Sequence, residues 1–296
     1  MLKTGSVAAG SIEAVESAIH ILKEGGNAVD AAVAAIFSSM TSEFSLTGAA
    51  GGGAITLSIN GEKPITIDFF VDAIPKRDIN SIEFLKKKVN FGDATQIFRI
   101  GKGSIAVPGT IQGLLYAHNR YGKIPLEAVL EPGINYAKSG VRLNNAQSYI
   151  FKLLEPIFSH DLKNNTILFK NNKILQEGDL FKNETFSDFL FELSREGLPF
   201  YINDGLKILD RFLEKDALFG IKEMLSYRVV ERPSISSKIN GYDFFSNPGP
   251  SFGGTLIVYC LELLKIVKQK RLNSDILVKV FQATENIRTH VQRNKL

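Results

Sequence analysis

Three consecutive glycines, Gly51, Gly52 and Gly53, stand where a helical pattern gives way to an alternating one, in LTGAAGGGAITLSINGEKPITIDFF (residues 46–70). Three missing side chains in a row allow positive φ or let a second backbone or a ligand come close. The runs AITLSI and PITIDFF flank Asn60-Gly61, a dipeptide that supplies two positive φ angles to a tight hairpin turn, and predict strands at about 53–59 and 64–70. The order helix, glycines, strand is the reverse of a dinucleotide fingerprint, and no lysine follows as in a P-loop. Two readings stand for the triplet: close backbone packing at the strand start, or a loop beside a ligand.

Upstream, Ile12, Val15, Ile19 and Leu22 recur at three- and four-residue spacing and predict a helix from Ser11 to Lys23, capped by Ser11 and stopped by Gly25-Gly26. Asn27 with Asp30 forms a variant capping box for a second helix, AVDAAVAAIFSSM, Ala-rich nearly all round and therefore buried. Downstream, VPGTIQGLLYAHNRYGKIP predicts a helix from Thr110 to Arg120 closed by Gly122. LEAVLEPGINYAKSG reads as two short helices broken at Pro132 and ending at Gly140. The stretch from Ser148 to Glu231 reads as amphipathic helix with polar turns. Short strands return near 228–230 and 242–245, a helix opens at Gly254, and the last helix runs from about Asp275 to Arg288. No repeat or low-complexity linker divides the 296 residues, which predicts a single α+β domain.

Composition excludes several classes. The 44% hydrophobic and 22% charged content is that of a globular protein, and 35 Lys and Arg lie scattered among 31 Asp and Glu for a net charge of only +4. No basic block interleaved with aromatics offers a nucleic-acid groove. No apolar run approaches the roughly 20 residues that span a bilayer, and MLKTGSVAAGS has no signal-peptide core, so no membrane partner and a cytoplasmic location are expected. One cysteine, Cys260, allows no internal disulfide; inside LIVYC it reads as a buried, inert thiol.

NPGPSFGG (residues 247–254) lies where a strand gives way to a helix. Ser251, Gly253 and Gly254 could present backbone N–H groups to an anion or oxyanion; the alternative for Ser251 is a plain N-cap. His20, His118, His160 and His290 are too far apart in sequence to read as a triad and are expected to be ordinary surface or core histidines. LKKK (residues 85–88) reads as a solvated helix face.

Taken in order, LKEGGNAVDAAVAA, the glycine triplet before a hairpin, VPGTIQGLLYAHNRYGKIPLEAVLEPGINYAKSGV, YRVVERPSI and NPGPSFGGTLIV resemble the γ-glutamyltranspeptidase family from Ser6 to about Arg288. The resemblance implies an N-terminal-nucleophile hydrolase: an αββα four-layer sandwich, made as a precursor and cut by itself into a large and a small subunit. This chain would be the large-subunit portion, its sheets completed by a small subunit from the same precursor or a neighbouring gene. The small subunit's N-terminal threonine attacks a γ-glutamyl amide, as in glutathione, with its own α-amino group as base, and water or an amine releases the acyl group. No metal or organic cofactor is implied.

Two departures from the family pattern matter. The threonine segment has no counterpart here; Thr289-His290 falls in a charged terminal helix, so no catalytic residue is assigned within the chain. The family's arginine for the glutamyl α-carboxylate lies two residues after the Asp of "DF", and here Phe70 follows Asp68 and Phe69. A phenyl ring cannot make the bidentate contact of a guanidinium, a loss on the order of a few kcal/mol, with Lys76 or Arg77 as possible substitutes. Three functions therefore remain: a γ-glutamyl hydrolase or transferase subunit, an acylase for another N-acyl amide, or a non-catalytic, truncated or split member acting as a binding or scaffold module.

Overall fold

The computed structural model describes residues 5–73, 82–161, 166–213, 218–267 and 273–294; Lys76 and Arg77 lie outside them. In chain order the elements are α1 (Ile12–Lys23), α2 (Ala28–Ser42), β1 (Gly53–Leu57), β2 (Ile65–Phe69), β3 (Leu85–Asn90), β4 (Thr95–Ile100), α3 (Thr110–Tyr121), α4 (Leu126–Ser139) and β5 (Val141–Arg142). They continue with α5 (Asn145–Phe158), β6 (Phe169–Lys170), β7 (Lys173–Ile174), β8 (Leu180–Phe181), α6 (Glu184–Glu196), α7 (Leu198–Phe200), α8 (Leu206–Leu213) and α9 (Ile221–Ser226). The last are β9 (Val230–Pro233), β10 (Ile235–Ile239), β11 (Tyr242–Ser246), α10 (Phe252–Ile266) and α11 (Ser274–Asn294). They form two compact units, Met1–Gly52 with Phe70–Arg228, and Gly53–Phe69 with Val229–Leu296.

The first unit is a helical layer in which α2 packs on α1, α3 and α4, and α4 on α6. Small residues bring α1 and α2 close: Ala14, Ala18, Ala31 and Ala34 are buried, and hydroxyl pairs Ser17–Ser38 and Ser11–Ser42, each 2.7 Å, bridge the two helices. Ser11 caps α1 by accepting from the Ala14 N–H, and the Asn27/Asp30 capping box opens α2, both as expected. The Asp30 carboxylate is fully buried and accepts from the backbone N–H of Asn27 (2.8 Å) and of Lys123 (3.0 Å to each oxygen), with His118 Nε2 at 3.6 Å. Asn27 Nδ2 donates to the Tyr121 carbonyl at 2.6 Å, so the start of α2 is tied twice to the end of α3. A methyl on Gly122 would lie 2.5 Å from the His118 carbonyl and 2.7 Å from Asp30 Oδ1, so only glycine closes α3 here. A satellite core of Leu143, Phe151, Leu168, Ile174, Leu175 and Phe181 fills the space beneath α5 and the short strands.

Pro132 does not divide α4, which is continuous from Leu126 to Ser139. A proline removes one helical hydrogen bond at a cost of about 3 kcal/mol, but here Val129, Leu130, Gly133 and Ala137 are buried along one face. Gly133 approaches the Phe37 backbone of α2 so closely that a methyl would sit 3.3 Å from it, and this packing offsets the lost bond. LKKK is likewise not a helix face. It is most of β3, paired antiparallel with β4 in the register Leu85↔Ile100 to Asn90↔Thr95, with Val89 fully buried and Arg99 of β4 stacked 5.0 Å over the Phe84 ring. Cross-strand pairing with TQIFRI overrides the charge of the run.

In the second unit β1, β2 and β9 form an antiparallel sheet with β2 in the middle, in registers Gly53↔Phe69 to Leu57↔Ile65 and Ile65↔Pro233 to Asp68↔Val230. The first hairpin is looser than the sequence suggests: of Asn60 and Gly61 only Gly61 has positive φ (85°), and residues 58–64 connect the strands, because Pro64 has no N–H for the ladder. The two-residue turn with paired positive φ occurs instead at Asn240 (51°) and Gly241 (84°), joining β10 to β11, a hairpin not expected from the sequence reading. α10 packs on β10 and β11 and against α11.

Replacing Asp30 with alanine should leave the Asn27 and Lys123 N–H groups unpaired. Unfolding of the Asp30→Ala chain, followed by circular dichroism against denaturant, is expected to show a loss of about 3 kcal/mol or more.

Candidate functional site

None of the three glycines Gly51–Gly53 has positive φ, so their need for glycine lies in close approach. The Gly51 carbonyl accepts from the N–H groups of Gly109 (2.9 Å) and Thr110 (3.1 Å), capping the start of α3 with backbone, while a methyl on Gly51 would sit 3.3 Å from the Gly48 carbonyl oxygen. A methyl on Gly52 would lie 2.5 Å from the Val71 nitrogen and 2.9 Å from the Phe70 carbonyl carbon, a collision with main chain. Gly53 faces its cross-strand partner Phe69, whose Cε2 would be 2.9 Å from an added methyl.

Phe70 follows β2 directly and is 61% exposed. Its backbone is held at three points. Tyr227, 3% exposed, donates its hydroxyl to the Phe70 carbonyl at 2.8 Å; Gly52 abuts its carbonyl carbon; and Asp72 exchanges two backbone hydrogen bonds with Val107 (3.0 and 3.1 Å). In the second unit Asp68 is paired with Arg232 Nε at 2.9 Å across the β2–β9 ladder. Tyr227 and Arg232 both lie in YRVVERPSI and were not singled out as individuals in the sequence; an aromatic and a cation beside a strand-forming run are the only signal there.

At NPGPSFGG the structure separates the three candidates. Ser251 occupies the N-cap position of α10 but its hydroxyl makes no capping bond; its N–H donates to the Pro248 carbonyl (3.0 Å) and its carbonyl accepts from Thr255 Oγ1 (3.1 Å). Gly253 is exposed, and a methyl there would meet nothing within 4 Å. Gly254 is buried, with the Asn247 carbonyl oxygen 2.2 Å from where a methyl would stand, so helix and loop touch there. Asn247 Oδ1 accepts from Thr56 Oγ1 at 2.7 Å, which ties the loop to β1. The first N–H groups of α10 thus lack a side-chain cap, a polarity that suits an anion.

The histidines are not assembled into a triad. His20 is exposed on α1, and His118 is buried with Nε2 donating to the Ile124 carbonyl at 2.9 Å. His160 pairs with Glu83 at 3.0 Å, and Thr289-His290 lies within α11. Cys260 is half-buried rather than fully buried, with Sγ 3.0 Å from Thr284 Oγ1, because α10 is covered by α11 on only part of its surface. Among the described residues no three His, Cys, Asp or Glu side chains gather as metal ligands, and no helix is long and apolar enough to cross a membrane.

The fold is the α+β architecture of N-terminal-nucleophile hydrolases. The crystal structure of Helicobacter pylori gamma-glutamyltranspeptidase matches it with a TM-score of 0.85 at 22% identity, over 97% of this chain and 84% of that one. Residues 14–294 match the family model described as gamma-glutamyltranspeptidase, and the chain belongs to that family. It is 27% identical over 274 residues to the capsule biosynthesis protein CapD proenzyme of Bacillus anthracis, covering 92% of this chain and 46% of that protein. It is 28% identical over 276 residues to the glutathione hydrolase proenzyme of Escherichia coli K12, covering 91% and 46%. The chain spans about half the length of the curated relatives it matches.

The two glycines of α10 should respond oppositely to alanine. Gly253→Ala is expected to hold or raise the thermal midpoint, since alanine favours a helix by about 1 kcal/mol, whereas Gly254→Ala should lower it by several degrees in the same scan.

Proposed function

We propose that these residues are the large-subunit portion of a γ-glutamyltranspeptidase-like amidohydrolase or acyltransferase, whose nucleophilic threonine belongs to a small-subunit segment outside the 296 residues. The observation that carries this is the unfinished surface of the second unit. Its sheet ends on β1 and β9 with no further strand paired to either among the described residues. Helix α10, FGGTLIVYCLELLKI, is apolar nearly all round, yet Gly254 is its one fully buried residue, and Ile257 and Ile266 stand 49% and 74% exposed. On α11 Val278 and Phe281 are also exposed. A helix of that composition is normally covered on every side, and open strands are normally paired, so strands of a partner segment are the fitting cover.

In this reading the threonine hydroxyl of the partner adds to the substrate carbonyl while its α-amino group takes the proton, and the amine leaves carrying that proton. Water or a second amine then opens the acyl-enzyme. The first unit contributes position 70, its main chain held by Tyr227, and the second unit separately contributes the uncapped N–H groups of α10; the chemistry calls for no cofactor. Its single thiol, Cys260, suits a reducing compartment, and the cytoplasm is the location proposed with it. The exposed phenyl of Phe70 supports a second reading of the substrate, an N-acyl amide whose acyl group is apolar and lacks the glutamyl α-carboxylate.

Co-production of the chain with the threonine segment tests both levels. The pair is expected to copurify and to cleave an anilide of a γ-glutamyl or a phenylacetyl group, read by aniline release. Phe70→Arg should shift kcat/KM toward the γ-glutamyl anilide by about tenfold or more. Failure to copurify overturns the subunit reading, and a stable pair that cleaves neither anilide favours the non-catalytic scaffold.

A further inference from the structure

A cavity of about 500 Å³ opens in the first unit beside α6, a size typical of small-molecule sites, and no residue of the proposed reaction lines it. One wall is α6 itself. Phe186 and Phe189 stack with centroids 6.1 Å apart and planes 12° from parallel, and Phe200 approaches Phe189 at 5.6 Å. Another wall exists because the backbone changes its winding after α7: residues Tyr201–Gly205 form a π-turn, closed by the Leu206 N–H on the Tyr201 carbonyl, before α8 begins. Such wide turns are rare and frequently accompany binding sites. Gly205 leaves room for the rings, since a methyl there would stand 2.9 Å from Tyr201 Cδ2 and 3.3 Å from Phe189 Cε2.

Two polar features give this aromatic space a chemical preference. Tyr201 lines the cavity and is 2% exposed, and burial pushes its hydroxyl up to a pKa of about 12, so it stands there as a neutral phenol. A neutral phenol both donates and accepts, so it can exchange a hydrogen bond with a ligand or water that reaches it. The charge is also one-sided. Asp188 and Glu192, one helical turn apart on α6, both line the cavity, and among the described residues no lysine or arginine does. Glu192 is 3.7 Å from Arg195, while Asp188 has no cationic partner among the described residues.

We propose that this cavity binds a hydrophobic organic amine, an arylalkyl ammonium whose ring packs among Phe186, Phe189 and Phe200 and whose cation sits between the carboxylates of Asp188 and Glu192. A cation is attracted both to aromatic faces and to the carboxylates. An anionic ligand of the same shape meets two like charges, and a neutral one gains only the apolar contacts. The proposal uses no part of the catalytic reading above and stands or falls separately from it.

The test is isothermal titration of the 296-residue chain with three ligands of matched shape: 3-phenylpropylammonium, 3-phenylpropanol and 4-phenylbutyrate. The ammonium should bind about tenfold more tightly than the alcohol, the carboxylate weakest, with the preference shrinking in high salt. Asp188→Asn with Glu192→Gln should reduce the ammonium to the level of the alcohol at unchanged circular dichroism. Ile208→Arg, at an exposed lining position, should do the same by repulsion. Equal affinity for all three ligands, no binding of any, or a cation preference that survives both variants would overturn the proposal.

Discussion

A single buried carboxylate holds the helical unit in its arrangement. Asp30 has no exposure to water, and a charge in that position is tolerated only when its oxygens are filled by donors. Those donors are backbone N–H groups from two places far apart in sequence, Asn27 at the start of α2 and Lys123 just after α3. The carboxylate is therefore a joint as well as a cap. It also explains why Gly122 must lack a side chain and why His118 is buried: both complete the pocket around the same oxygens. The helices that later carry the glycine loop and the α3 cap are positioned from this point outward.

Features set by neighbouring residues were legible in the sequence. The Ser11 cap, the Asn27/Asp30 box, the closure of α3 at Gly122 and the existence of the first hairpin all depend on contacts within a few positions. Features set by distant partners were not. Pro132 reads as a helix break until α2 is laid against Gly133, and three lysines in β3 read as a solvated helix face until β4 is paired with them. The division into two units is invisible for a related reason. The second unit is assembled from the stretches 53–69 and 229–296, so no composition shift or linker marks its border.

The candidate site divides in the same way. Its glycines announce themselves, but the reason for each differs and depends on what lies across from it: a carbonyl and the α3 start for Gly51, main chain for Gly52, a ring for Gly53, a loop carbonyl for Gly254. Gly253 meets nothing, and its proximity to an uncapped helix start is what sets it apart. Tyr227 and Arg232 had little local pattern to betray them, since Tyr227 acts on Phe70 and Arg232 on Asp68 from more than a hundred positions away.

The anchoring of residue 70 has an evolutionary corollary. Its main chain is gripped by a tyrosine hydroxyl, by the close pass of a glycine and by the paired strand that follows, none of which touches the phenyl ring's chemistry. A change of side chain at that point therefore leaves all three main-chain holds in place, and the scaffold can tolerate variety there.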